Sequence, residues 1–353
     1  MSRIVTLGEI MARLATPGHG RFQQAMPGTL EVTFAGAEAS VAMSISYLGG
    51  EAAFISALPQ HAIADACVAN LRAVGVDTRH ILRTEQGRLG LYFLETGANQ
   101  RAGQVIYDRE GSAMAITPAE AYDWAAIFSG AEWFLISGIT PAISRNAAEV
   151  ARVAMQEAAS RGVKIACDMN FRSKLWQWEP GLSAQALATR TMRELMPLVD
   201  LFIGGREDAI QMLGMVVTEA EPEAVAGQIA QAYPRLCHVA MTLREGISAS
   251  HNNWGGLLYE TASCQSFRAP LQAGQYQPYA ITDMVDRLGG GDAFTAGLLF
   301  ALTTPELSAP GKVVAFAVAA SCLAHSIPGD FNYTTRDEVE ALVAGDASGR
   351  VKR

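Results

Sequence analysis

Short apolar runs alternate with longer stretches whose apolar positions recur at helical spacing. The runs are IVTLGEI (4–10), AAFISAL (52–58), EWFLISG (132–138), VKIACDMN (163–170), DLFIGG (200–205) and HVAMTL (238–243). Between them lie SVAMSISYLG, IADACVANLRAVG and RNAAEVARVAMQEAASRG, the last ending on Gly162, a C-terminal cap signal. This alternation predicts an α/β fold: a central, mostly parallel sheet with helices on both faces. The apolar stretch from Val313 to Leu323 reads as a buried core helix, too short to span a bilayer. No internal repeat or low-complexity linker divides the chain, and residues 1–345 are expected to form one domain.

Two segments, 11–35 and 88–113, break the alternation. The second holds LYFLETG, the turn-rich ANQRAG and then QVIYDRE, which predicts a hairpin of two alternating strands. Inserted pieces of this kind can pair into a small separate sheet. Such a sheet is open to three uses: a lid, a dimerisation surface or a plain excursion.

Composition narrows the classes. Of 353 residues half are hydrophobic and 18% charged, and the net charge of −8 argues against a nucleic-acid binder. Lysine is scarce (Lys164, Lys174, Lys312, Lys352), so basic chemistry falls to arginine. The five cysteines are scattered without CxxC spacing, which favours reduced thiols and a cytoplasmic setting over disulfides or a zinc site. Neither a signal peptide nor a membrane span is expected.

The segment DRLGGGDAFTAGLLFAL, Asp286 to Leu302, carries the chemistry. Its glycines either form a turn with Asp292 as the helix cap, or expose backbone N–H groups at a helix start where an anion can bind. In the second case Asp292 is placed to accept a proton from an attacking hydroxyl, and the helix dipole should favour its ionised form. No Lys-Ser or Lys-Thr follows the glycines, and Phe294 stands where a dinucleotide fingerprint needs its third glycine. Polar residues also collect after the strand-like runs: Gly8, Glu9, Ser137, Gly138, Asp168, Asn170, Arg172 and Thr242. Ligands of open α/β sheets bind at that edge. Arg109 and Arg172 each follow a strand, suited either to a ligand carboxylate or to a surface salt bridge. Tyr92 and Tyr107 read as strand aromatics and His325 as a hydrogen-bonded helix-end residue. The histidines lack HExxH spacing, and Ser137 lacks a GxSxG context.

DRLGGGDAFTAG resembles the signature of the PfkB-type, ribokinase-like carbohydrate kinases, and AGAEASVAMSISYLGG resembles their N-terminal sugar-binding motif. CDMNFRSKLW, LYFLE, VIYDREGSA and AHSIPGDFN are together similar to the 2-keto-3-deoxygluconate kinase branch. The resemblance implies a ribokinase-like fold with a β lid, ATP and Mg²⁺ as cofactors, a sugar-acid substrate, and a homo-oligomer formed through the lids. It implies Asp292 as catalytic base and Gly289, Gly290 and Gly291 as the anion hole. It places Gly36, Ala37, Glu38 and Ser40 in the sugar loop, and Tyr92, Tyr107, Arg109, Arg172 and Asp330 around the keto-acid. Asn170, Thr242 and Gly246 fall on the nucleotide side, with Glu207 and Asp208 as water-mediated Mg²⁺ candidates. This chain departs from the pattern at Ser40, Gly205, Asp208 and Ala324, and TLREGISAS lacks the usual glycine after Thr-Leu. A kinase for a neutral sugar and a sugar-binding regulatory protein without turnover are the rival readings.

Overall fold

The computed structural model describes residues 2–346. In chain order the first strands are β1 (Arg3–Leu7), β2 (Met11–Ala15), β3 (Glu31–Ala35), β4 (Glu51–Pro59), β5 (Ile81–Thr84), β6 (Gly90–Glu95) and β7 (Gln104–Asp108). There follow β8 (Ala131–Ser137), β9 (Lys164–Asp168), β10 (Leu201–Ile203), β11 (His238–Gly246), β12 (Asn252–Glu260) and β13 (Gln265–Ala269). Last come β14 (Leu271–Gln272), β15 (Gln275–Tyr276) and β16 (Tyr279–Ile281). The large sheet runs β13-β12-β11-β10-β9-β8-β1-β4-β5, with β16 also on β12. From β11 to β5 every pairing is parallel. The strands β12, β13 and β16 add an antiparallel edge that the sequence pattern did not announce.

Both faces of this sheet are covered, as the near-continuous apolar strands require. Helices Ala37–Tyr47, Ala62–Ala73, Gly290–Leu302 and Pro310–Ala324 pack on one face. Helices Arg145–Ser160, Ala184–Leu195, Arg206–Leu213 and Pro222–Ala232 cover the other. The helix Arg145–Ser160 shows why these segments fold as they do. The Ser144 hydroxyl accepts from Ala147 N at 2.9 Å, and the apolar stripe Ala147, Val150, Ala151, Ala154, Met155 and Ala158 is buried. Gly162, at φ +74°, turns the chain out of the helix. Phe54, Phe134 and Phe202 are fully buried on β4, β8 and β10. Each contributes roughly 1.5–3 kcal/mol of burial, which makes the sheet the rigid part from which the loops at its carboxyl edge project. All five cysteines are free. Among the described residues no helix is long and apolar enough to cross a membrane.

Segments 11–35 and 88–113 do pair into one separate sheet, in the order β3-β2-β6-β7. The outer pairings are antiparallel and the central β2–β6 pairing is parallel. Its register sets Thr33, Arg13, Tyr92 and Tyr107 in one row, and Val32, Leu14, Phe93 and Ile106 in the next. Adjacent rows face opposite sides of a sheet. The first side buries Met11, Ala35, Tyr92 and Leu94 with Tyr107 and Leu288. The second carries exposed apolar groups, Val32 at 60% and Ile106 at 45%. At the tip of the β6–β7 hairpin, Asn99 O accepts from Ala249 N at 2.7 Å, and Asn99 N donates to Ser250 Oγ at 3.2 Å. The small sheet therefore touches the β11–β12 hairpin as well as the body below it.

Candidate active site

A cavity of about 540 Å³ opens at the carboxyl edge of the large sheet, beneath the small one. Glu9 beyond β1, Ile139 beyond β8, Asp168 to Arg172 around the end of β9, Gly204 beyond β10 and Thr242 on β11 line its sides. Met11, Tyr92, Val105, Tyr107 and Arg109 form the roof. Leu288, Gly289, Gly291, Asp292 and Asp330 also line it.

The glycine turn decides between cap and anion site. Gly289 is the N-cap of helix Gly290–Leu302, with φ +82°, and no side chain caps that helix. Asp292 lies inside the first turn instead, leaving the leading N–H groups free of side-chain partners. A Cβ at Gly289 would stand 2.2 Å from the Asp330 carbonyl oxygen, so glycine is required there by contact as well as by φ. Gly290 is buried and does not line the cavity: a Cβ there would press on the His325 ring at 2.4 Å, and its carbonyl accepts from Ser321 Oγ at 2.6 Å. His325 itself is buried at the end of helix Pro310–Ala324, hydrogen-bonded to Ser321 O at 2.7 Å and packed edge-on to Trp254. The expectation that the helix dipole keeps Asp292 ionised needs correction. Burial, together with Asp168, Asp330 and Glu38, raises its pKa well above the usual carboxylate range, against the smaller opposing effect of Arg172. A helix terminus offers only about 0.3–1 kcal/mol at exposed sites, too little to outweigh burial and three like charges.

Under the small sheet the guanidinium of Arg109 is buried in an ion pair with Glu9 and lies over the Tyr107 ring, 5.8 Å from its centroid. Arg172 is exposed at the cavity wall, and its guanidinium makes no hydrogen bond or ion pair with any described residue. Asp330 Oδ1 accepts from Arg13 Nη1 at 2.6 Å and from Tyr92 Oη at 2.7 Å. Burial nevertheless raises the Asp330 pKa. Gly36, Ala37 and Glu38 line the cavity. Glu38 Oε1 accepts from Ser137 N at 2.9 Å, Ser137 Oγ at 2.7 Å and Thr140 Oγ1 at 2.8 Å, which fixes the first turn of its helix to the end of β8. Ser40 does not reach the cavity: one turn further along the helix it is buried, with its hydroxyl unpartnered.

On the opposite side stand Asn170, in the left-handed region at φ +40°, and Thr242. Burial and neighbouring Asp208 push the Asp168 carboxyl up to about 7. Asp208 is also raised by burial, while Gly205 N donates to its Oδ2 at 2.9 Å and caps helix Arg206–Leu213. Glu207 points away into solvent and pairs with Arg206, and Gly246 ends β11 beyond the cavity wall. Among the described residues no cluster of three His, Cys, Asp or Glu could hold a metal.

Two residues escaped the sequence reading. Arg13 and Asp286 are both buried, joined at 2.5 Å between Nη2 and Oδ2. Asp286 also accepts from Leu288 N at 3.1 Å and Gly329 N at 3.0 Å, tying the glycine turn to the Asp330 loop. The one signal available was a charge in the middle of an otherwise apolar strand, MARLA.

The sheet, its covering sheet and the uncapped glycine–acid turn define a ribokinase-like phosphotransferase. A model of the pfkB family of carbohydrate kinases matches residues 1–332, and the chain belongs to that family. It is 32% identical to a 2-dehydro-3-deoxygalactonokinase of Haloferax volcanii, over 99% of this chain and 98% of the relative. A 2-dehydro-3-deoxygluconokinase of Bacillus subtilis is 24% identical, over 84% and 81%. The crystal structure of a 2-dehydro-3-deoxygluconokinase from Thermotoga maritima superposes with a TM-score of 0.88 at 36% identity, over 98% of this chain and all of that one (100%).

Proposed function

We propose that this carbohydrate kinase phosphorylates the terminal hydroxyl of 2-keto-3-deoxygluconate or a close sugar acid. One observation carries the reading: the uncapped turn with Asp292 and the unpaired guanidinium of Arg172 share one cavity. A sugar acid brings a carboxylate that Arg172 can take in charged hydrogen bonds, while its far hydroxyl lies toward Asp292. The paired state of Arg109 favours one alternative: a neutral sugar would leave the Glu9 pair intact. One relative is named a 2-dehydro-3-deoxygalactonokinase and another a 2-dehydro-3-deoxygluconokinase, so the configuration at one carbon is left to assay.

ATP fits the other half of the cavity. Gly289 and Gly291 leave room at a helix N-terminus for phosphate oxygens, and a Cβ at Gly291 would meet nothing within 4 Å. Burial raises both Asp168 and Asp208, with only Arg172 as a nearby cation against it, which suits Mg²⁺ arriving with the nucleotide and keeping most of its waters; Glu207 is not placed for this. That ion would neutralise phosphate charge during transfer. Asp292 accepts the hydroxyl proton, and its raised affinity for protons makes it a better base than an ordinary carboxylate. The glycine amides hold the migrating phosphoryl group, and the small sheet, acting as a lid, excludes water. The exposed Val32 and Ile106 of the small sheet suit pairing with a second copy. The free thiols suit a cytoplasmic setting.

Release of ADP, followed over a panel of sugar acids and neutral sugars, tests the reading. Turnover is expected with 2-keto-3-deoxy sugar acids; turnover with fructose or ribose alone would replace it. Asp292→Asn should bind the sugar acid and lose turnover by about 10²–10⁴-fold. Binding without ADP release in the wild type would point to a regulatory protein.

A further inference from the structure

We propose that Arg13 is a positioning residue of this site, holding the acceptor-side carboxylate Asp330 and the glycine turn in one shared geometry; the proposal rests on the kinase reading above. Arg13 sits on β2, in the cavity-facing row of the small sheet. Its two terminal nitrogens are divided between two carboxylates, Asp330 at 2.6 Å and Asp286 at 2.5 Å. Asp286 in turn accepts from the backbone N–H groups of Leu288 and Gly329. The strand of the small sheet is thus connected through one guanidinium to both loops that flank the phosphoryl-transfer turn.

The arrangement is costly unless it serves orientation. Arg13 is only 5% exposed, and a buried ion triad seldom stabilises a fold better than apolar side chains of similar volume. Its planar fork, unlike a lysine, can fix the angle between two acceptors. Asp330 faces Arg13 from β2, Tyr92 from β6, Asp286 from the glycine-turn loop and Asp292 from the helix start. Of these only Arg13 is a cation. Without it Asp330 would sit among carboxylates with Tyr92 as its donor, and would take up a proton at higher pH. A protonated Asp330 presents a donor where the ionised form presents only acceptors to a sugar hydroxyl.

Arg13→Gln, Arg13→Lys, Asp330→Asn and the double variants test this, with the wild type assayed first over the sugar panel. Arg13→Gln should lower kcat/KM for the acceptor by about 10- to 100-fold, as misplacement near reacting groups does. The KM for ATP should change less, and the acid limb of kcat/KM should move to higher pH. Arg13→Lys should recover part of the loss and part of the pH shift. Combining either Arg13 variant with Asp330→Asn should add little to the larger single loss. Should Arg13→Gln fail to fold, the Arg13→Lys and Asp330→Asn pair reports the same coupling. Folded Arg13 variants with wild-type kinetics, or with losses that add to Asp330→Asn and leave the acid limb unmoved, overturn the role of Arg13 alone. A wild type without turnover on any sugar overturns the kinase reading along with it.

Discussion

The three glycines of the turn should respond differently to alanine. At Gly289 a Cβ would lie 2.2 Å from the Asp330 carbonyl oxygen and the backbone sits at φ +82°. The left-handed conformation alone costs about 1–2 kcal/mol for a residue with a side chain. The contact is with backbone, which has no rotamer to escape into, so the total should reach about 3 kcal/mol and lower the melting temperature by several degrees. At Gly290 the obstacle is the His325 ring at 2.4 Å, which is itself held by Ser321 and Trp254. Gly290→Ala should therefore destabilise too. At Gly291 nothing lies within 4 Å of the added carbon, and the residue is inside the helix. Gly291→Ala should keep or gain up to about 1 kcal/mol of stability. Its methyl group would nevertheless stand at the cavity wall where phosphate oxygens must approach the amides. Losing such contacts costs about 10²–10³ in kcat. Thermal unfolding with and without ATP, beside ADP release at saturating sugar, separates these outcomes. A Gly291→Ala enzyme with wild-type kcat and KM for ATP would show that phosphate does not meet this turn.

Arg172→Ala should leave the melting temperature unchanged and reduce kcat/KM for a sugar acid by roughly 10- to 100-fold, measured against a neutral sugar as control, since charged hydrogen bonds contribute about 1.5–3 kcal/mol. Arg109→Ala should instead lose about 3–5 kcal/mol of stability, read by denaturant unfolding, because Glu9 is left buried without its partner. The ligand-free protein should become less stable as pH rises from about 4 through about 7. Asp168, whose carboxyl is pushed up to about 7, holds a proton in the folded state that the unfolded chain has released by then, and Asp168→Asn should flatten the melting temperature against pH over that interval. Val32→Asp with Ile106→Asp should shift the sedimentation coefficient toward a monomer while leaving the cavity residues in place.

The alternating sheet was readable because its strands are apolar on both sides and its helices carry clear stripes, as in 145–160. The β6–β7 hairpin was readable from ANQRAG between two alternating runs. The antiparallel edge was not: β12 continues a strand whose turn, GISASHN, offers several places to reverse. The cavity residues at strand ends were visible as polar punctuation after IVTL, KIAC and VAM. What one-dimensional reading lacked was distance. Arg13 meets Asp286 and Asp330 across 273 and 317 residues of chain, so its place in an apolar strand could mark it as unusual but could not name its partners. The same limit hid what raises the Asp292 pKa, because its helix start is local but its opposing carboxylates are not.

The contact of Asn99 with Ala249 N and the Ser250 hydroxyl joins two hairpins that serve different ligands in the proposed reading. One roofs the half of the cavity proposed for the sugar, and the other carries Thr242 and Arg244 on the half proposed for the nucleotide. Neither can swing outward alone without rupturing that seam, so filling one half of the cleft biases the shape offered to the other. On that reading, sugar and ATP should influence each other's affinity by an identical factor, whichever arrives first.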